Sequence, residues 1–339
     1  MSKSVVSLSV LALATLAWDA VAGPPDWGKV PAKTVPLLYP GQASYEWAMT
    51  KADHSAANQV IEKGRGCVYC HDEDATDIGK KVVAGKPVGN KKKPLEPTPP
   101  AGKPGFIPVS VQAAHDGEKL YLRFEWEDTK DSGGKKLDPK NEEKLTVMID
   151  AGGVDGARLN GCWSTCHNDL RSMPDASDAA KKHAKAKALG WDDGVTKYVK
   201  ESRSAVSMTD SPRGGWDKLK PDAEIDAALK AGQFYDLIQF RSGKGEKPAD
   251  GYVLEARHMD GGKSLTKAEG KTVDGKWVVV FERTLAASGT GKHKIEAGKL
   301  YNIGFAIHDD YAAARYHHVS LGYTLGLDNA KADFNAVKQ

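Results

Sequence analysis

The number and spacing of its cysteines constrain this 339-residue chain more than any other feature. Its four cysteines fall in two tight pairs, Cys67/Cys70 and Cys162/Cys166, and a histidine follows each pair at once: "CVYCH" over residues 67–71 and "CWSTCH" over 162–167. No cysteine is left over. C-x-x-C-H is the attachment signature of covalent haem. The spacing has a chemical reason: two thiols add to two vinyl groups along one edge of one macrocycle, and the next histidine lies under the iron as its proximal ligand. A zinc ribbon would need a second ligand pair of matched spacing. A thioredoxin-like dithiol would need a βαβ setting and no histidine. Cys67, Cys70 and His71 therefore read as a haem site.

The second run has three residues between its thiols instead of two. Flexible thioether links absorb the extra residue, so Cys162 and Cys166 predict a second covalent haem, with His167 as its proximal ligand. The alternative is a short-loop disulfide beside a chance histidine, which needs unusual geometry.

The leader agrees with this chemistry, because c-type haem is attached outside the cytoplasm. Residues 1–22 combine Lys3, an apolar run over 5–17 and the small-x-small site Ala20-Val21-Ala22. They predict a signal peptide cleaved after Ala22 and a periplasmic protein beginning at Gly23. No other segment is long and apolar enough to cross a bilayer. The net charge of +3 is spread over interspersed acids and bases, which argues against a nucleic-acid partner. Lys91-Lys92-Lys93 reads as a solvated loop.

An iron with one histidine needs a second axial group or stays open. Upstream of the first motif, Trp47, Ala48, Ala52, Ala56 and Val60 recur near helical spacing. One helix ended by Gly64 and Gly66 would bring His54 back over the first haem. For the second haem, residues 301–328 read as strand, loop, strand. Side chains alternate across a strand. His317 shares parity with Val319, Leu321, Tyr323 and Leu325, so it is the predicted distal ligand on the apolar face. His318, with Ser320, Gly322, Thr324 and Gly326, is expected on the polar face as a solvent or propionate contact. His308, on the loop edge, is a further candidate. Met173 follows His167 too closely to reach the distal side. Met49, Met208 and Met259 read as fillers, and His115, His183, His258 and His293 as surface residues.

Residues 23–95 read as an N-terminal haem segment of short helices. A proline-rich connector, "KKKPLEPTPPAGKPGF", follows. The pattern then changes to period two in "FIPVSVQAAHDGEKLYLRFEWED", a hairpin turning at Asp116-Gly117. It continues in "KLTVMID", "GYVLEARHMDGG" and "GKWVVVFERTL". The expected fold class is mainly β with α. An antiparallel β-sandwich occupies 96–339 and carries the second motif in a helical insertion over 160–235.

Two stretches, "PVSVQAAHDGEKLYLRFEWED" and "IGFAIHDDYAAARYHHVSLGYTLGL", resemble the haem-binding (gamma) subunit of ethylbenzene dehydrogenase and related type II DMSO-reductase-family enzymes. The resemblance spans residues 100–328. It implies a β-sandwich that holds one haem b between a methionine and a lysine. The lysine stands in a Lys-x-x-Ser-like run where this chain has His317-His318-Val319-Ser320, so the resemblance places His317 at the ligand position. The chain thus reads as a c-type, dihaem relative of that subunit: an electron carrier with two covalent haems and two histidines per iron, and no catalytic residues. Its redox partner would be a periplasmic oxidoreductase or a membrane quinol-oxidising cytochrome. The rival readings are a dihaem peroxidase-like enzyme with one open haem, an electron-transfer subunit of a molybdoenzyme complex, and a binding module in which the haems sense redox state.

Overall fold

The structure is a computed structural model, and it describes residues 25–129, 136–169, 182, 197–210, 213–259 and 262–339. The expected leader, Met173 and His183 lie outside the described residues. Among the described residues no helix is long and apolar enough to cross a membrane.

In chain order the strands are β1 (Ala32–Leu38), β2 (Pro87–Val88), β3 (Lys93–Pro94), β4 (Phe106–His115), β5 (Lys119–Glu127), β6 (Lys144–Asp150), β7 (Tyr235–Arg241), β8 (Ala249–Val253), β9 (Arg257–His258), β10 (Leu265–Val273), β11 (Lys276–Thr284), β12 (Tyr301–His308), β13 (His318–Val319), β14 (Tyr323–Leu327) and β15 (Phe334–Lys338). The helices that matter for the site are short: α1 (Tyr45–Met49), α2 (Ala57–Ile61), α3 (Cys67–His71), α4 (Ala75–Val83) and α5 (Ala157–Asn160).

The protein is mainly β, as the period-two pattern requires. It differs from a sandwich of two separate antiparallel sheets. Apart from the β2–β3 pair, the strands form one continuous sheet, and part of it closes on itself through β4, β1, β13, β12, β14 and β15. Two strands make the closure. β1 pairs with β4 from Ala32 to Leu38 and reaches β13 at Leu38 opposite Val319. β15 runs parallel to both β14 and β4. The segment before residue 95 therefore gives a strand to the main sheet as well as its helices.

Alternation along the strands builds the core and leaves a second face for the site. Leu145, Val147 and Ile149 of β6, Ile238 and Phe240 of β7, and Ile303, Phe305 and Ile307 of β12 all enter the central apolar cluster. The residues between them, Thr146 and Met148, Leu237 and Gln239, and Gly304, Ala306 and His308, point to the other face and line one cavity. The chain from Val154 to Cys162 packs on that face, with Val154, Ala157 and Cys162 buried against Met148, Leu237 and Ala306.

Candidate functional site

The first motif forms α3, whose N-cap is Gly66. Cys67 is half-buried and Cys70 is exposed, and all four cysteines of the chain are unbridged. Burial pushes the Cys67 thiol up to about 11. His71 donates from Nδ1 to Asp74 Oδ1 at 2.8 Å. His54 does not sit on one long helix, as the spacing predicted. The stretch breaks into α1 and α2, and His54 lies in the turn between them. The break has a visible cause. Thr50 Oγ1 bonds back to the Glu46 carbonyl, and His54 Nδ1 donates to the carbonyl of Ala48, six residues earlier, at 2.9 Å. A continuous helix would carry that carbonyl about 9 Å away along its axis. The turn leaves the His54 and His71 rings 6.0 Å apart between centroids. Trp47 also stacks on His54, at 5.6 Å. Burial holds His54 below the ordinary histidine value.

The second motif follows α5 as a single 3-10 turn, Gly161–Thr165. Cys162 is buried, and burial pushes its thiol up to about 12. Cys162, Cys166, Met148, Lys197, His308 and His317 all line the cavity on the outer face of β6, β7 and β12. Three glycines let the chain approach so closely. Gly161 has a φ of +57°, and a Cβ on it would lie 2.9 Å from Gly322 Cα. A Cβ on Gly322 would lie 2.8 Å from Gly161 N, and one on Gly304 would lie 2.9 Å from Cys162 N.

His167 is not among the residues lining that cavity. It is buried; its Nδ1 donates to Glu46 Oε1, and its ring stacks on Tyr198 at 3.7 Å and 6°. Ligating atoms of Glu46, His167 and Asp169 lie within 4.8 Å of one another. Burial pushes the Asp169 carboxyl up to about 7.

His317 lies in the cavity wall, with its Nδ1 donating to the Ala314 carbonyl at 2.8 Å. His308 hangs from the same carbonyl by its Nε2 at 3.0 Å and stacks on His317 at 4.7 Å. Burial holds both rings well below the ordinary histidine value, so both are neutral. His318 departs from its expected surface role. It is fully buried, opposite Ile307 of β12, with Nδ1 on Asp309 at 3.1 Å and Nε2 on the Pro104 carbonyl at 2.7 Å. The strand also breaks between β13 and β14. Val319 therefore packs with the Cys162 cluster, while Leu321, Tyr323 and Leu325 turn into the central core.

The surface assignments need correcting too. His115 and His293 are buried, bonded through Nε2 to Asp328 and to the Phe234 carbonyl. His258 is half-buried on Glu255, again through Nε2. Sequence reasoning also missed Met148 and Glu46. Met148 was findable, because it shares parity with Thr146 in "KLTVMID". Glu46 carries no sequence signal, since its partner is 121 residues away.

The first motif and the residues before it touch α5, the helix that leads into the second motif. Cys67 Sγ lies 3.4 Å from Asn160 Oδ1, and Arg158 donates to the Gly64 carbonyl at 2.9 Å.

A family model described as ethylbenzene dehydrogenase matches residues 25–272. Cytochrome c-552 of Stutzerimonas stutzeri is 42% identical over 319 residues, which cover 94% of this chain and 92% of that one. Cytochrome c-551 of Rhodocyclus tenuis is 29% identical over 316 residues, covering 93% and 100%. A family 9 carbohydrate-binding module from Caldicellulosiruptor kristjanssonii covers 64% of this chain and 65% of its own, but at a TM-score of 0.27 and 9% identity the likeness carries no argument.

Proposed function

Because the chain belongs to the ethylbenzene dehydrogenase family, in the branch that resembles its haem-binding subunit, we propose that it is a periplasmic c-type cytochrome with two covalent haems that relays electrons between partner proteins. Its relatives named cytochrome c support the electron-carrier role. The finer assignment rests on this chain's own residues. The first haem would be tethered by Cys67 and Cys70 and held between His71 and His54. The second would be tethered by Cys162 and Cys166, in the segment inserted between β6 and β7, and held between His167 and His317.

One observation carries the ligand assignment. A metal-bound imidazole donates its other N–H to a carboxylate or carbonyl, and that bond decides which nitrogen faces the metal. His54, His71, His167 and His317 each donate from Nδ1, the arrangement that presents Nε2. The other five described histidines, His115, His258, His293, His308 and His318, all engage Nε2, and His318 engages both nitrogens. Spacing also fits at the first site. Two imidazoles on one metal, each about 2.0–2.1 Å from it, place their ring centres about 6 Å apart, and His54 and His71 stand at 6.0 Å. The 4.7 Å stack of His308 on His317 is too close for the two to share one iron.

Bound haem supplies a one-electron couple. The chain's residues do the rest. The thiols fix each haem's edge, the imidazoles offer their Nε2 atoms, and Cys162 and Cys166 hold theirs against the apolar outer face of the sheet. The contact between Cys67 and Asn160 keeps the two centres adjacent, which favours transfer from one to the other. Lys197 and Arg257, at the cavity wall, are suited to carboxylate side chains of the macrocycle.

The intact mass of the periplasmic protein tests the haem count, with the chain from Gly23 plus two haems expected. Low-temperature EPR of the oxidised protein should show two low-spin irons. A mass with one haem would refute the dihaem reading, and a high-spin signal of one full iron would refute the bis-histidine reading and favour the peroxidase-like alternative.

A further inference from the structure

Two neighbouring residues of a single short helix reach one ligand of each centre. Ser44 caps α1, its Oγ accepting from Trp47 N at 3.3 Å. From that helix Trp47 stacks on His54 and the Ala48 carbonyl takes its Nδ1–H. On the other flank the helix is fastened to the second motif by three bonds. Tyr45 N donates to the Cys166 carbonyl at 2.7 Å, Asn168 N donates to Glu46 Oε2 at 3.1 Å, and His167 Nδ1 donates to Glu46 Oε1.

Glu46 is fully buried. A buried carboxylate is costly unless it is bonded, and both Glu46 oxygens are directed at the His167-Asn168 pair. The other three ligand histidines have weaker anchors. His54 and His317 lean on neutral carbonyls, and the Asp74 side chain that holds His71 is 55% exposed, so water screens it. A full negative charge on the ring's N–H makes the opposite nitrogen a stronger donor, and a stronger donor favours the oxidised iron.

We propose that Glu46 is the positioning residue for His167, and that its carboxylate lowers the potential of the second haem relative to the same site with a neutral anchor. The proposal rests on reading His167 as that haem's ligand.

The test uses the full-length matured protein. Glu46→Gln keeps an acceptor of the same shape and removes the charge. Outer-shell changes of this kind alter metal-site properties by about 10–100-fold. At 59 mV per decade for one electron, one midpoint in a spectroelectrochemical titration should rise by about 60–120 mV. The other midpoint should stay in place. Glu46→Asp keeps the charge but withdraws it by one methylene, and its midpoint should fall between those of wild type and Glu46→Gln. Should Glu46→Gln not accumulate, the Asp variant alone must still raise one midpoint.

Two attached haems with both midpoints unmoved in these variants would overturn the proposal. So would equal movement of both midpoints, which a general loosening of the fold produces. A stoichiometric divalent ion that co-purifies with wild type and is lost from Glu46→Gln would make Glu46 a metal ligand instead. A single haem by mass in wild type would overturn the underlying dihaem reading, and the two failures are thereby told apart.

Discussion

His317 and His318 are adjacent in sequence, and the proposed ligand set gives them opposite work, so replacing each with alanine separates ligation from stability. His318 is the structural one. Its removal deletes a bond to Asp309 and one to the Pro104 carbonyl, and leaves that buried carbonyl without this donor. Two bonds at about 1 kcal/mol each, plus about 1–2 kcal/mol for the orphaned carbonyl, come to about 3–4 kcal/mol. At about 2–4 °C per kcal/mol, the scale for large domains, the melting temperature should drop by about 6–16 °C. His317 makes one bond to a local carbonyl, a structural contribution of about 1 kcal/mol. Its loss should instead open the second haem. The assay is carbon monoxide binding to the reduced protein, read in the Soret band, beside thermal unfolding followed by near-UV circular dichroism. His317→Ala should bind carbon monoxide at one haem per chain, and His318→Ala at none. If His318→Ala binds the gas and His317→Ala does not, the rule that a ligand bonds through Nδ1 and leaves Nε2 to the metal fails here and His318 is the ligand.

Replacing His54 with alanine should leave both haems attached and convert one iron to high spin; an unchanged spectrum would pass the role to another residue. Asp309 gives a pH dependence. Burial alone would raise its carboxyl, but His318 and Lys103 outweigh burial and hold it below its unfolded value of 3.8. Its contribution to stability is therefore present above about pH 4 and lost as pH falls below it. Asp309→Asn should flatten the stability profile below pH 4, and parallel profiles for the two proteins would refute this. Gly322→Ala drives a methyl into the Gly161 backbone and should cost about 1–3 kcal/mol, with a changed spectrum at the second haem only; a wild-type spectrum would mean the contact does not hold that centre.

The candidate tethers and proximal histidines could be named from sequence because covalent haem chemistry leaves little freedom. Two thiols and a histidine at that spacing have few other uses, and His317, expected on an apolar face, lines the cavity wall just before β13. The strands were legible for the same reason that alternation is a strong signal: one face must be buried. What escaped were features settled by long-range contacts. The helix over His54 looked continuous because its apolar spacing is, yet the Ala48 carbonyl and the Thr50 hydroxyl divert the chain. His318 looked polar-facing because it shares parity with Ser320 and Gly322, yet Ser320 is itself buried and the strand ends before parity can carry that far. His115 and His293 lie in charged sequence, and nothing local announces that Asp328 and Phe234 will cover them. The closure of the sheet through β15 was equally hidden, since parallel pairing of a terminal strand leaves no trace in its own period.

The crossing of Gly161, Gly304 and Gly322 around Cys162 acts as a gauge. With a haem tethered at Cys162 as proposed, it would set how far that tethered edge stands from His317, just before β13, and it would set that distance with hydrogen atoms rather than side chains. Every other wall of the cavity can be traded for a residue of similar bulk, but this one has no smaller residue to move to and no tolerance for a larger one. Drift at these three positions therefore runs in a single direction, toward a longer gap. A designer who wanted to weaken the axial bond in graded steps, without touching a ligand, a tether or a charge, would add one methyl at a time here, beginning with Gly304, where the obstruction is the backbone nitrogen of Cys162 itself.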